Sequence, residues 1–187
     1  MKSTEARYFL AIIPPSPLAE EVVGVKKLFA EKYNSKAALR SPAHLTLHMP
    51  FLWKERNEEK LIQKLEQAVD FESFQLKLNG FGAFPPRTIF IKNEYSEVLM
   101  SLEKELTAFT KRELKLLNST HNRGFHPHIT VAFRDLKPDQ FTLAWQAFEH
   151  RPFDAEFAVN SFWLLKHDGK VWQAHKEFFS RFADNTP

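Results

Sequence analysis

Residues 126–135 read HPHITVAFRD. Ile129, Val131 and Phe133 alternate with His128, Thr130 and Arg134, and a period of two belongs to a β-strand with unlike faces. The aliphatic positions are expected in the core, which leaves an imidazole, a hydroxyl and a guanidinium on the other side. The same pattern stands earlier in AHLTLHMPFLW, residues 43–53. There Leu45, Leu47 and Met49 take one face, and His44, Thr46 and His48 the other.

Working outward, RYFLAII at 7–13 reads as a strand stopped by Pro14 and Pro15. Ser16 is placed to cap a helix with Pro17 in its first turn and an apolar stripe of Leu18, Val22, Val25, Leu28 and Phe29. Asn57 is expected to cap a second helix carrying Leu61, Ile62, Leu65, Ala68 and Val69. The stretch at 71–92, FESFQLKLNGFGAFPPRTIFIK, gives two strands around Pro85 and Pro86, with Gly80 and Gly82 allowing a bend or bulge. Ser96 should cap a third helix with Leu99, Leu102, Leu106, Phe109 and Leu116. NSTHNRG at 118–124 reads as a loop, and Pro138 begins a fourth helix. The chain closes with strands around an Asp168-Gly169 turn. Strands and helices in this order give an α+β class with mostly antiparallel pairing and helices on one face of each sheet.

The sequence has 187 residues, 43% of them hydrophobic, with 19 phenylalanines. That is enough to bury a substantial core, and no linker or low-complexity stretch divides it, so 1–187 is read as one domain with two lobes. A formal net charge of +3, spread without a cationic block, permits a phosphate-bearing ligand and argues against a duplex-DNA binder. Without cysteine there is no disulfide, thiolate zinc site or cysteine nucleophile. The opening MKSTEARYFLAIIPPSP has one short apolar run broken by prolines, too short for a membrane span and without a signal-cleavage pattern. The expected location is the cytoplasm, with no membrane association and no obligate protein partner.

The chemistry lies in the duplicated His-x-Thr-x pattern, HLTL at 44–47 and HITV at 128–131. If the two strands face one cleft, it holds two imidazoles that titrate near neutrality and two hydroxyl donors. A phosphodiester needs such a set: a base, an acid, and fixed donors on the non-bridging oxygens. One such pair alone would read as an ordinary solvated strand face. Four imidazoles, with His48 and His126 added, could bind zinc. The alternation argues for strands, however, and the glutamate of a helical zinc motif is absent. No metal or other cofactor is expected.

Taken together, RYFLAIIPP, LRSPAHLTLHMPF, GFGAFPPRTIFIK, FHPHITVAFR and VNSFWLLKHDGKVW resemble, in order and over nearly the whole chain, the two-histidine (2H) phosphoesterases. The likeness is to the LigT-like RNA 2',3'-cyclic phosphodiesterases, often labelled 2'-5' RNA ligases. The resemblance implies a bilobal fold of two similar antiparallel sheets facing a central cleft, with helices outside. It makes His44 and His128 the acid and base and gives Thr46 and Thr130 the phosphate. For cyclic-phosphate hydrolysis His128 is read as base and His44 as acid. The chain departs from the family at HMPF after the first motif, where His48 and Phe51 would alter the groove edge, and at Phe90, where tryptophan is frequent.

Arg134, Arg87 and Arg123 are candidates to meet further phosphates. Phe125, Phe84 and Phe51 are candidates to stack on a base, and His48 completes the candidate binding set. His121, His150, His167 and His175 are read as solvated surface. The expected substrate is an RNA end or small nucleotide bearing a cyclic phosphate, with reversible 2'-5' joining as a further activity. Two alternatives stand beside it: a phosphodiesterase acting on a small cyclic nucleotide or an ADP-ribose cyclic phosphate, and an RNA-binding protein without turnover.

Overall fold

The computed structural model describes residues 4–68, 70–119 and 124–180; Val69, His121 and Arg123 lie outside them. The strands are β1 (Glu5–Ile12), β2 (Leu45–Lys54), β3 (Phe74–Phe84), β4 (Thr88–Asn93), β5 (His128–Ala132), β6 (Asp154–Val159), β7 (Ser161–His167) and β8 (Trp172–Phe179). The helices are α1 (Leu18–Tyr33), α2 (Glu58–Leu65), α3 (Glu97–Phe109) and α4 (Pro138–Phe148). Short 3-10 turns cover Ala37–Arg40, Glu55–Asn57 and Glu66–Ala68.

The helix starts follow the sequence unevenly. Ser96 caps α3 by accepting the Leu99 N–H at 3.2 Å, and Pro138 opens α4. Ser16 does not cap α1. Its hydroxyl donates to Glu20 Oε1 at 2.6 Å, and the helix starts behind Pro17. Asn57 precedes α2 without a side-chain cap; its carbonyl instead accepts the Trp53 indole N–H at 2.9 Å. α3 is shorter than the apolar stripe suggested, because a wide π-turn at Thr110–Leu114 and a left-handed Lys115 end it before Leu116.

The strands form one curled sheet in the order β6-β3-β4-β5-β2-β1-β7-β8, antiparallel at every step. The two expected sheets are its two halves, joined where Leu45 of β2 pairs with Ile129 of β5. One face carries Tyr8, Leu10, Leu45, Leu47, Ile129 and Val131, which share a core with Val22 and Phe29 of α1, Leu102 of α3 and Phe148 of α4. The other face carries a small cluster of Phe9, Ala11 and Leu165, flanked by Trp163 and Trp172. Each buried aliphatic side chain contributes roughly 1.5–3 kcal/mol relative to exposure, so the helix-covered face dominates stability and the other is left for function.

Two bulges re-aim side chains. β3 is irregular between Leu78 and Phe81, where Gly80 has φ +65, a conformation glycine adopts without strain. In β2 the register against β1 slips on both sides of Leu10, which faces His48 while Ala11 faces Thr46 and Tyr8 faces Phe51. Strict alternation is lost there, and Leu47 and His48 are both buried in succession. Asn118 patches the interrupted ladder, accepting the Met49 N–H at 2.9 Å and donating to the Leu47 carbonyl at 3.1 Å.

Candidate active site

The cleft opens on the helix-free face, over the seam between the two halves, with a volume of about 1060 Å³. That is at the upper end of the roughly 300–1,000 Å³ usual for small-molecule pockets. His44, Thr46, His128 and Thr130 all line it. The Leu45–Ile129 pairing fixes their mutual placement: in antiparallel register His44 stands across from Thr130, and Thr46 across from His128. The residues that make this pair are themselves fully buried, so the core side of each strand holds the cleft side in register.

Both imidazoles are oriented in the same way. Nδ1 of His44 donates to the Pro42 carbonyl at 2.8 Å, and Nδ1 of His128 to the His126 carbonyl at 2.6 Å. A carbonyl only accepts, so the proton sits on Nδ1 of each neutral ring and Nε2 keeps its lone pair. Aromatic neighbours fix the ring planes: Phe9 lies 4.9 Å from His44, while Phe90 and Phe84 lie 4.6 Å and 5.4 Å from His128. Burial lowers both histidines' proton affinity. His44 falls to about 4, through burial and then the positive charge of Lys26; His128 falls through burial.

The cleft is cationic. Arg7, Arg40, Arg134 and Lys170 line it against a single carboxylate, Asp135, among the described residues. That carboxylate is already engaged: it accepts from the Ser35 hydroxyl at 2.9 Å and from the N–H groups of Lys36 and Ala37 at 2.8 and 2.9 Å. It ties the turn after β5 to the 3-10 turn that leads into β2. Arg134 takes a left-handed backbone, φ 60, and lies over the Phe133 ring at 5.1 Å.

Of the binding residues expected from sequence, Arg134, Phe125 and Phe84 line the cleft. Arg87 does not; it is exposed at the turn between β3 and β4. His48 does not share the face of His44. The β2 bulge turns it into the core at 0% exposure, against Phe51 at 5.4 Å. Phe51 is likewise outside the cleft, stacked 6.1 Å from Tyr8. Phe133 moves the other way: β5 ends at Ala132, and Phe133 lines the cleft instead of packing behind it. His167, read as plain surface, also lines the cleft and lies 3.3 Å from Arg7.

Arg7, Phe9, Arg40 and Trp172 are cleft residues that the motif reading passed over. Alternation in RYFLAII already puts Arg7 and Phe9 on one face, so that pair was legible; Trp172 depends on the pairing of β8 with β7, which has no local signal. The described residues gather no group of three or more His, Cys, Asp or Glu able to hold a metal ion, and none of the helices is long and apolar enough to cross a membrane.

Known proteins resemble this chain over nearly its whole length. A protein of Geobacillus kaustophilus that carries the name of a phosphoesterase is 26% identical over 176 residues, covering 92% of this chain and 95% of its own. A similarly named protein of Bacillus cytotoxicus is 24% identical, covering 90% and 94%. Among solved structures, E. coli LigT complexed with 3'-AMP superposes with a TM-score of 0.70 at 23% identity, over 95% of this chain and 99% of that one. LigT in its apo form gives 0.67 at 22%, over the same shares of both chains. These likenesses establish the LigT-like fold. The sequence matches the 2'-5' RNA ligase superfamily over residues 14–171, and the chain belongs to that family of two-histidine phosphoesterases.

Proposed function

We propose that this phosphoesterase opens 2',3'-cyclic phosphates at RNA ends by acid-base catalysis between His44 and His128. The observation that carries the reading is the pairing of the two His-Thr sets across Leu45–Ile129, which gives one cleft two Nε2 atoms and two hydroxyls. One Nε2 takes the proton of the attacking water as its oxygen bonds to phosphorus. The other imidazole, starting protonated, gives its proton to the ribose oxygen as the P–O bond breaks. Thr46 and Thr130 donate to the non-bridging oxygens, where charge builds in the transition state. The same sequence with a ribose 5'-hydroxyl in place of water, and the 3'-oxygen leaving, joins a 2'-5' linkage.

The cationic lining of the cleft supports an anionic chain as substrate, and Phe125, Phe84 and Trp172 offer faces on which bases stack. A small nucleotide is the second reading, favoured by the complexes of E. coli LigT with 3'-AMP, ATP and NADP+.

Hydrolysis of a short RNA ending in a 2',3'-cyclic phosphate, in EDTA, tests the reading, with His44→Ala and His128→Ala alongside. Product from the parent and a loss of roughly 10²–10⁴-fold in each variant are expected. Undiminished turnover in either folded variant removes the assignment. Product from a cyclic mononucleotide alone moves the substrate to the second reading, and binding of RNA without product from either substrate leaves a binding protein.

A further inference from the structure

Arg7 and His167 meet in the cleft as two donors. Nδ1 of His167 accepts the Gly169 backbone N–H at 3.1 Å, within the turn between β7 and β8. A neutral imidazole accepts through one nitrogen and donates through the other, so the proton of this ring sits on Nε2. Arg7 Nη2 lies 3.3 Å from that same Nε2, and a guanidinium has no lone pair to offer. Two N–H groups thus converge with no acceptor between them, an arrangement that an anion completes. Burial and the charge of Arg7 lower the proton affinity of His167, which favours the neutral ring.

The surroundings keep the pair available. The Arg7 guanidinium lies over the Trp172 ring at 5.6 Å, and His167 meets the same ring edge-on at 4.9 Å, so one indole orients both. Lys170, exposed at the tip of the turn, adds a third cationic or donor group to this end of the cleft. Among the described residues no carboxylate pairs with Arg7 or Lys170. Asp168, beside His167 in sequence, is spent on its own turn: it accepts the N–H groups of Lys170 and Val171, each at 2.8 Å, and the Gln173 amide at 3.1 Å. Phe9 separates the pair from the histidines at the seam, its ring 4.9 Å from His44 and 4.7 Å from Trp172. Ala11 pairs with Thr46, and Arg7 is four residues further along β1, roughly 13 Å of strand. A single phosphate does not reach both places.

We propose that Arg7, His167 and Lys170 form a second phosphate subsite, at the end of the cleft bounded by β1 and the β7–β8 turn, which takes a phosphate of the substrate other than the one that reacts. The inference deepens the two-histidine reading above and rests on it for the identity of the reacting phosphate. The oxygens of the second phosphate accept from Arg7 Nη2 and His167 Nε2 together, and Lys170 adds charge from the exposed side. A nucleoside cyclic phosphate with no other phosphate leaves this end unused. An RNA strand that continues past the reacting end fills it with a phosphodiester, and a small nucleotide fills it with a 5'-phosphate. The subsite therefore selects substrates that carry at least two phosphates, with Arg7 as the residue that sets the preference.

The test is calorimetric binding of three ligands with open phosphate ends: 3'-AMP, adenosine 3',5'-bisphosphate, and an adenine trinucleotide ending in a 3'-phosphate. In the parent, at least one of the two larger ligands is expected to bind roughly tenfold or more tightly than 3'-AMP. A gain for the trinucleotide alone assigns the second phosphate to an RNA strand, and an equal gain for the bisphosphate assigns it to a small nucleotide. In Arg7→Gln most of that gain should vanish, and the slope of log Kd against log salt for the trinucleotide should become shallower by about 0.7. A residue that only packed would not change the salt slope. Lys170→Gln, at an exposed turn, gives the same reading if Arg7→Gln does not fold. NMR of the imidazole nitrogens in the free parent, assigned with His167→Phe, should find the His167 proton on Nε2. The inference is overturned if neither larger ligand gains over 3'-AMP, if the gain and the salt slope persist in folded Arg7→Gln, or if the His167 proton sits on Nδ1, since Arg7 would then simply donate to Nε2. Binding needs no turnover, so inactivity on cyclic phosphates would remove the proposed reaction while the subsite would still be read, and loss of the subsite would leave the chemistry of His44 and His128 standing.

Discussion

Leu45 stands opposite Ile129 at the seam of the sheet, and both are fully buried. Because strand side chains alternate, this one apolar pair dictates that the polar neighbours on either side meet on the opposite face. The grouping of His44, Thr46, His128 and Thr130 is thus a consequence of core packing: a slip of one residue between β2 and β5 would send the histidines into the core and the aliphatics into the cleft. Ile89 and Ile91 of β4, also fully buried, hold β5 from its other side.

In the proposed reaction Thr46 and Thr130, which line the cleft from opposite strands, donate to the phosphate. Thr46→Val and Thr130→Val keep the shape and remove one donor each. Each should lower kcat by roughly 10²–10³-fold, the usual cost of losing a transition-state donor, with an unchanged circular dichroism spectrum. A folded valine variant at either position with parental kcat would remove that threonine from the site.

Gly82 leaves room for a ring. A Cβ at that position would lie 2.5 Å from Phe90 Cε2 and 2.7 Å from its Cζ, and Phe90 packs against His128 at 4.6 Å. Gly82→Ala should therefore push the ring toward His128, costing about 1–3 kcal/mol by overpacking and lowering kcat. Adding Phe90→Leu should make the double variant more stable than the two separate losses predict. Strict additivity would show that the two positions do not press on each other.

Asp135 holds three donors from the segment at 35–37. Asp135→Ala should cost about 1–3 kcal/mol, read as a lower urea midpoint. The 3-10 turn that carries Arg40 would loosen with it, so KM should rise more than kcat falls. A variant of parental stability and KM would show that the turn is held by other contacts.

Much of this was legible in the sequence because alternation is a local rule. It put His44, Thr46, His128 and Thr130 on one surface and their aliphatic neighbours in the core, and the structure places them so. The same rule failed at His48, since a bulge adds a residue to one strand and inverts the faces beyond it, and the local hint in HLTLHMPF is Pro50, which cannot donate to the ladder but does not fix where the slip falls. The polar partner that makes the bulge tolerable, Asn118, is distant in sequence. Arg40, Lys170 and Trp172 reach the cleft through turns and strand pairing between distant segments, which one-dimensional periodicity does not encode. Lys26 is a polar position on an amphipathic helix, and its burial becomes visible only once the loop at Ser41 and Pro42 is folded over it.

The misplaced His48 has a consequence for stability. Its Nδ1 donates to the Met49 carbonyl at 2.8 Å, and its buried Nε2 has no partner among the described residues. Protonation would place an unpaired charge in the core, so burial holds its proton affinity below the ordinary value. His44 and His128 are lowered too, His44 to about 4. For all three, the unfolded chain takes up protons near the ordinary histidine pKa of about 6.5 while the folded chain does not. In that window the unfolded state binds more protons, so stability rises with pH and is lost as pH falls from about 6.5 toward the lowered values. Urea unfolding between pH 7.5 and 4.5 should show this slope in the parent. His48→Leu removes one of these groups without touching the cleft and should flatten it; an identical slope in that variant would mean that His48 is protonated in the folded chain or finds a partner there.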